Sequence, residues 1–354
     1  MYYINENILN LDRIFDQNKR EGYLRLDLNE NPVGLPQEFI DDVLKEITPE
    51  FISQYPETLE FTEKLASFLN TDIRHINLVN GSSEGIRNII QAFTSVNGKI
   101  LGVTPTYAMF EVYSKMYGRK FIPIDYDYDL QMPVKKILDK MTKDVQLLII
   151  VNPNNPIGNA YSNEEFELIL KKAQENEITL LIDEAYIYFY SNTFIDYALK
   201  YKHVFVTRTF SKLFSLAGCR LGYVVGYPEG INMIQKLCTP HNVNAFGMKF
   251  AEKIISNPQL IDDLINKHKE GRDFLIKYLQ DNNYEYNALE GNFMFIKTKR
   301  NPDYIVSKMK NEKKILVKTY AGIGKLGKCL RVTTGEKSAM EIFIKALQDL
   351  DRGE

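Results

Sequence analysis

Apolar positions along this chain fall into two alternating textures. Five short runs, INLVNG (76–81), KILGVTP (99–105), VQLLIIVNP (145–153), ITLLIDEAY (178–186) and HVFVTRT (203–209), are rich in aliphatic residues and end in polar or turn-forming ones. Runs of this kind suit strands buried on both faces of a parallel sheet. Between them the period changes. Ile86, Ile89, Ile90 and Phe93 recur at helical offsets directly after the first run and its glycine. Ser162 and Glu165 have capping-box spacing ahead of Phe166, Ile169, Leu170 and Ala173, which share one helical face. Strands alternating with helices predict an α/β fold, a mostly parallel sheet with helices on both faces. Ligands of such sheets bind outside the carboxyl ends of the strands, so the polar residues just after each run are the ones to weigh.

After about residue 245 the pattern changes to a long amphipathic helical region around 246–282, short strand-like pieces near GNFMFIK and CLRVTTG, and a final helix. This predicts a second, smaller α+β domain. The expected division is an N-terminal arm with part of the small domain at 1–45, a large domain at 46–245 and the C-terminal small domain at 246–354. No internal repeat or low-complexity linker separates them, so an extensive shared interface is expected. A chain of 354 residues is long enough for this arrangement.

Charge and cysteine content narrow the function class. Lys and Arg total 44 against 46 for Asp and Glu, which gives no broad field for nucleic acid or an anionic membrane. Cys219, Cys238 and Cys329 are odd in number and far apart, against both a disulfide framework and a closely spaced zinc site. The opening MYYINENILNLDRIFDQNKR carries charges where a secretory segment needs a continuous apolar run, and no stretch reaches membrane-spanning length. A cytosolic protein acting on small molecules is the expectation.

Five segments carry candidate chemistry. In TRTFSKLFSLAGCRLGY (207–223), Lys212 follows a strand. A lysine there, partly desolvated among cations, has a depressed pKa and offers a neutral amine to an aldehyde. Ser211 and Arg220 supply a hydroxyl and a cation for a nearby phosphate. A lone lysine in such a place is more often simply solvated. Asp183 closes an apolar strand with Tyr186 three positions on. Such a carboxylate could pair with a protonated ring nitrogen and the phenol with a ring oxygen, although a strand-end Asp is also an ordinary turn residue. VNPNNPIGN (151–159) reads as a turn stiffened by Pro153 and Pro156, presenting Asn155 to the same oxygen. NGSSEGI (80–86) places Ser82 and Ser83 at a helix start, whose free N–H groups favour an anion. Tyr107 in PTYAMF could stack on an aromatic ring, or be a core tyrosine.

Taken in order, NGSSEGI, PTY, NPNNPIG, DEAY, the Ser211–Lys212 pair with Arg220, and LRVTTG resemble the motif series of fold-type I aminotransferases, in particular the histidinol-phosphate aminotransferase group. The N-terminal LDLNENPVGLP is similar to that group's opening, and the match spans nearly the whole chain. The resemblance implies pyridoxal 5'-phosphate as cofactor, held by Lys212 as a Schiff base, with the same lysine as proton shuttle. It implies Asp183 on the pyridine nitrogen, Asn155 and Tyr186 on the ring oxygen, and Ser82, Ser83, Ser211 and Arg220 around the phosphate. It further implies a homodimer with shared sites, in which Tyr55 of SQYPE reaches the neighbouring subunit's cofactor phosphate. Arg331 of CLRVTTG would bind the donor carboxylate, with Lys318, Asn31 and Tyr55 as further substrate contacts. The implied reaction moves an amino group between glutamate and a small phosphorylated carbonyl compound, histidinol phosphate chemistry first and another phosphorylated ketone next.

Three positions depart from the group's pattern. Lys318 stands where an arginine usually helps grip the substrate phosphate, which gives a point charge instead of a bidentate fork. Leu213 follows the lysine where a small residue is usual, and Ser83 replaces a frequent aspartate. A decarboxylase of a phosphorylated amino acid, of the threonine- or serine-phosphate type, resembles the same group and stays open. A regulator that binds the cofactor without turnover is disfavoured, because the motif series begins within the first thirty residues and such proteins usually add a DNA-binding module. A dinucleotide-binding oxidoreductase lacks its GxGxxG between first strand and helix.

Overall fold

The computed structural model describes residues 2–9, 11 and 19–352; residues 1, 10 and 12–18 of the expected N-terminal arm and 353–354 at the C-terminus lie outside them. Among the described residues the strands are β1 (Leu24–Arg25), β2 (Ile76–Val79), β3 (Lys99–Thr104), β4 (Lys120–Asp125), β5 (Val145–Val151), β6 (Thr179–Asp183), β7 (Val204–Thr209), β8 (Gly222–Gly226), β9 (Glu285–Asn287), β10 (Phe293–Lys297), β11 (Ile315–Leu316), β12 (Lys318–Ile323) and β13 (Gly327–Thr333).

A seven-stranded sheet runs β2-β8-β7-β6-β5-β3-β4. Strands β4, β3, β5, β6 and β7 are mutually parallel, whereas β8 pairs antiparallel with β7 and with β2. All five apolar runs became strands of this sheet. Alternate residues face opposite cores: Leu148, Ile150, Leu180, Ile182, Val204 and Val206 join one cluster, while Leu147, Ile149, Val151, Leu181 and Phe205 join the other. Burial on both faces explains why these strands read as unbroken apolar runs. Two strands carried no such signal. KFIPID forms the edge strand β4, where Pro123 and polar residues are tolerated. GYVVG is short and begins and ends in glycine.

The predicted helices lie where the periodicity put them. Ser82–Phe93 buries Ile86, Ile89 and Ile90. Asn163–Asn176 starts on a capping box, with Ser162 Oγ accepting from Glu165 N at 3.2 Å and Glu165 Oε2 from Ser162 N at 2.9 Å. Full burial of each aliphatic side chain on these faces is worth about 1.5–3 kcal/mol.

The amphipathic region beyond 245 is two helices, Ala245–Ile255 and Pro258–Asp281, broken where Asn257 caps the second and Pro258 opens it. An antiparallel sheet, β12-β13-β10-β9, has its own core of Leu275, Leu279, Met294, Ile296, Leu330, Val332 and Phe343. The long helix serves both cores: its Leu260, Ile261 and Leu264 pack with the large sheet, its Leu275 and Leu279 with the small one. Near the N-terminus β1 pairs in parallel with β11, and Leu26 enters the smaller core. Residues 28–31 are thereby led across to the mouth of the large sheet. No helix among the described residues is long and apolar enough to cross a membrane.

Candidate active site

A cavity of about 360 Å³ lies at the carboxyl ends of the parallel strands, closed on the far side by β12, β13 and residues 28–29. Most of the sequence candidates line it: Ser82, Ser83, Tyr107, Asn155, Asp183, Tyr186, Ser211, Lys212, Arg220, Lys318 and Arg331.

On the large-sheet side, Asp183 is the last residue of β6 and is buried. Its Oδ1 accepts from Thr207 Oγ1 at 3.3 Å and from Ala185 N at 3.2 Å. Burial dominates those bonds and pushes the carboxyl up to about 6. The next residue, Glu184, is fully buried against Arg208 of β7, whose Nη2 and Nε reach Glu184 Oε2 at 2.7 and 2.9 Å. Glu184 Oε1 also accepts from Phe194 N at 2.7 Å. This pair fixes the end of β6 on β7 beside Asp183, a support the sequence signalled only as two consecutive acids after a strand.

Lys212 follows β7 by three residues, its Nζ donating to Leu28 O at 3.1 Å and lying 5.7 Å from the Tyr186 ring centroid. Burial and the Arg331 guanidinium lower its amine to about 8, with Arg220 adding to the effect and Glu30 and Asp183 opposing it. A neutral amine is therefore accessible near neutral pH.

The other end of this wall is built for an anion. Ser82 and Ser83 open the helix Ser82–Phe93, whose first N–H groups have no intrahelical acceptor. Gly81 precedes them at φ 72°, and a Cβ there would come within 2.4 Å of Arg220 Nη2. One at Gly222 would sit 2.6 Å from Ser82 N. These two glycines let Arg220 and β8 close on the helix start. Arg220 Nη1 donates to Ser211 Oγ at 3.4 Å, and Ser83 Oγ is 3.2 Å from the Tyr107 hydroxyl.

The opposite wall centres on Arg331. Its Nη2 donates to both Asn155 Oδ1 at 2.9 Å and Asn29 Oδ1 at 3.0 Å, while its buried Nε has no partner. The guanidinium lies 5.1 Å over the Phe293 ring, which meets Tyr186 edge-on at 5.3 Å. Lys318 on β12 is the register partner of Arg331 on β13, so both reach the cavity from one face. Burial pushes the Tyr186 phenol up to about 12, with Arg331 and Asn29 opposing it.

Two candidates stand elsewhere. Asn31 donates to Ser215 Oγ at 2.8 Å and lines a small void behind Lys212. Tyr55 is 78% exposed in the single chain, stacked on His241 at 4.4 Å and away from the cavity lining. The residue that sequence reading passed over is Asn29, buried two positions before Asn31 in LDLNENP. Its signal was weak: an asparagine suited to the left-handed region, which it occupies at φ 58°.

A parallel sheet carrying a strand-end acid, a depressed lysine and a helix-start anion site describes a pyridoxal-phosphate enzyme. The family comparison agrees, since the profile of Aminotransferase class I and II matches residues 21–347, and the chain belongs to that family. It is a pyridoxal-phosphate-dependent aminotransferase with the fold-type I architecture.

Within the family it is similar to the histidinol-phosphate aminotransferases. It is 31% identical over 333 residues to the histidinol-phosphate aminotransferase of Thermoanaerobacter sp. (strain X514), an alignment covering 92% of each protein. The structure of histidinol-phosphate aminotransferase from Clostridium acetobutylicum superposes with a TM-score of 0.81 at 26% identity, covering 93% of this chain and 99% of that one. The Sinorhizobium meliloti enzyme, solved in complex with pyridoxal-5'-phosphate, shares the fold with a TM-score of 0.88 at 18% identity over 99% of this chain and 98% of that one.

Proposed function

We propose that this aminotransferase moves an amino group between glutamate and a small phosphorylated carbonyl compound. The histidinol phosphate/imidazole acetol phosphate couple is the first candidate and another phosphorylated ketone the second. The observation that carries the reading is the far wall: Arg331, with a buried Nε lacking a partner, stands in register with Lys318 across the cavity from Lys212. Two adjacent cations suit a substrate pair with a carboxylate at one end and a phosphate at the other.

Pyridoxal phosphate, when bound, supplies an electron sink for the carbon that loses its proton. Lys212 holds the cofactor through its amine and moves the α-proton. Asp183 keeps the ring nitrogen protonated, a partner that offsets the cost of burying its carboxylate. Asn155 presents its Oδ1 to Arg331, a donor-only group, which leaves its Nδ2 as the donor that would meet the ring oxygen together with Tyr186. Tyr107 would stack on the ring, and Ser82, Ser83, Ser211 and Arg220 would hold the phosphate. Arg331 binds the donor carboxylate and Lys318 the acceptor phosphate.

The working unit of this proposal is a homodimer in the cytosol. Tyr55, Ile52, Leu59 and Phe246 are exposed apolar side chains that a second copy would cover, with Tyr55 reaching the neighbouring site. The proposed division has an N-terminal arm with part of the small domain at 1–45, a large domain at 46–245 and a small domain at 246–354; the helix Ala245–Ile255 and the first part of Pro258–Asp281 nevertheless pack in the large core.

The test is to mix purified protein with glutamate and a panel of phosphorylated ketones. The expected result is a change in cofactor absorbance with glutamate alone, 2-oxoglutarate release, and recovery of the absorbance with one acceptor. Carbon dioxide released from a phosphorylated amino acid, without a keto product from glutamate, would instead establish the decarboxylase.

A further inference from the structure

Asn29 hydrogen-bonds to both Arg331 and Tyr186. It is 2% exposed, and its backbone, at φ 58°, is held by two hydrogen bonds: its N donates to Thr333 Oγ1 at 3.0 Å and its O accepts from Asn292 Nδ2 at 3.1 Å. Its side chain reaches in two directions. Oδ1 accepts from Arg331 Nη2 at 3.0 Å and from Thr333 Oγ1 at 3.3 Å, and Nδ2 donates to the Tyr186 hydroxyl at 2.8 Å.

The orientation of this amide is fixed by chemistry. A guanidinium has donors and no acceptor, so the oxygen of Asn29 must face Arg331 and the NH₂ must face Tyr186. The Tyr186 oxygen is then an acceptor toward Asn29, and its own proton must be given elsewhere. The open side of Tyr186 is the cavity. A hydroxyl that accepts one hydrogen bond donates a stronger one, because chained bonds polarise each other.

We infer that Asn29 is a positioning residue that sets two things at once, the placement of Arg331 and the direction in which Tyr186 gives its proton. It acts through those side chains and not on the substrate. The inference rests on the roles assigned above to Arg331 and Tyr186. It adds a link between the two halves of the reaction: the group that binds the donor carboxylate and the group that steadies the cofactor's ring oxygen share one amide.

Two substitutions test its arms. Asn29→Gly keeps the left-handed backbone, which a β-carbon strains, and removes both arms. Asn29→Asp keeps an oxygen toward Arg331 and removes the donor to Tyr186. Three readouts apply: thermal midpoint, KM and kcat for glutamate, and the pH midpoint of the bound cofactor's visible absorbance without substrate. A weaker donation from Tyr186 leaves the ring oxygen less stabilised as an anion, so protons nearby are held more tightly and the absorbance midpoint rises. For Asn29→Gly we expect glutamate KM to rise about tenfold, the scale of one charge-assisted hydrogen bond, and the absorbance midpoint to rise by about one pH unit. For Asn29→Asp the midpoint rises similarly, while glutamate KM rises as well, because the new carboxylate pairs with Arg331 and competes with the donor carboxylate.

A purely structural role would lower the thermal midpoint and cofactor content and leave the absorbance midpoint in place. That outcome, or a glycine variant with both KM and absorbance midpoint unchanged, overturns the inference. A wild type that takes up no pyridoxal phosphate overturns the functional reading itself, and this proposal with it.

Discussion

The wall at the carboxyl ends of β3, β5, β6 and β7 and the wall made by β12, β13 and residues 28–29 face each other across one cavity, yet they were assembled by different rules. On the first, each functional side chain stands within a few residues of a buried strand: Asp183 ends β6, Lys212 follows β7, Asn155 follows β5 and Tyr107 follows β3. The strand is inserted by its apolar run and carries the polar residue to the cavity with it. On the second, Arg331 and Asn29 are 302 residues apart and meet only because β1 joins β11 and Leu26 docks in the smaller core. The first wall depends on local order, the second on the packing of two units.

That contrast predicts a gradient of sensitivity. Lys212→Ala should remove the amine from the first wall, lowering the glutamate half-reaction by about a thousandfold or more and leaving a protein that loses its yellow colour on dialysis. A variant still yellow and within tenfold of wild type would move the chemistry away from this wall.

Asp183→Asn comes next, with an expected loss of about a hundredfold and a distinct pH signature. In the cofactor-free protein burial raises the Asp183 carboxyl to about 6, so the ionised form that a protonated ring nitrogen needs dominates only above that pH. Cofactor affinity should therefore increase as pH rises through 6 and then level off. The asparagine variant should lack that rise, as a fluorescence titration from pH 5 to 8 would show.

Arg331→Ala tests the second wall most directly. Glutamate KM should rise by about tenfold to a hundredfold while the cofactor still binds. Arg331→Lys should restore only part of it, since an ammonium cannot replace the guanidinium that holds Asn29 and Asn155 and still offers further donors. Equal damage to cofactor binding would show that the two walls are not separable.

The smallest effect is expected from Lys318→Arg. A planar fork should improve discrimination between phosphorylated and unphosphorylated acceptors by about threefold to tenfold in kcat/KM. No gain would place the acceptor's phosphate away from β12.

Much of the first wall was legible before the structure. The β5, β6 and β7 runs located their strands, and a polar residue after such a run has little freedom about where it goes. The supporting pair Glu184–Arg208 was not legible, because pairing two residues 24 positions apart requires knowing that β6 and β7 are neighbours. In the N-terminal motif the sequence candidate was Asn31, and Asn29 carried no strong mark of its own. Asn29 and Asn31 are two apart, and the period of an extended chain would put both on one face. The positive φ at Asn29 breaks that period, so Asn29 turns into the cavity and Asn31 turns back to Ser215.

By itself the sequence determined which segments are buried and which side chains follow them, because apolar periodicity and turn chemistry act over a few residues. Tertiary structure decided which amide reaches Arg331, which carboxylate is locked by Arg208, and which tyrosine stays at the surface on His241. Those outcomes depend on contacts between distant parts of the chain and on single backbone angles, and neither leaves a periodic trace in the order of the amino acids.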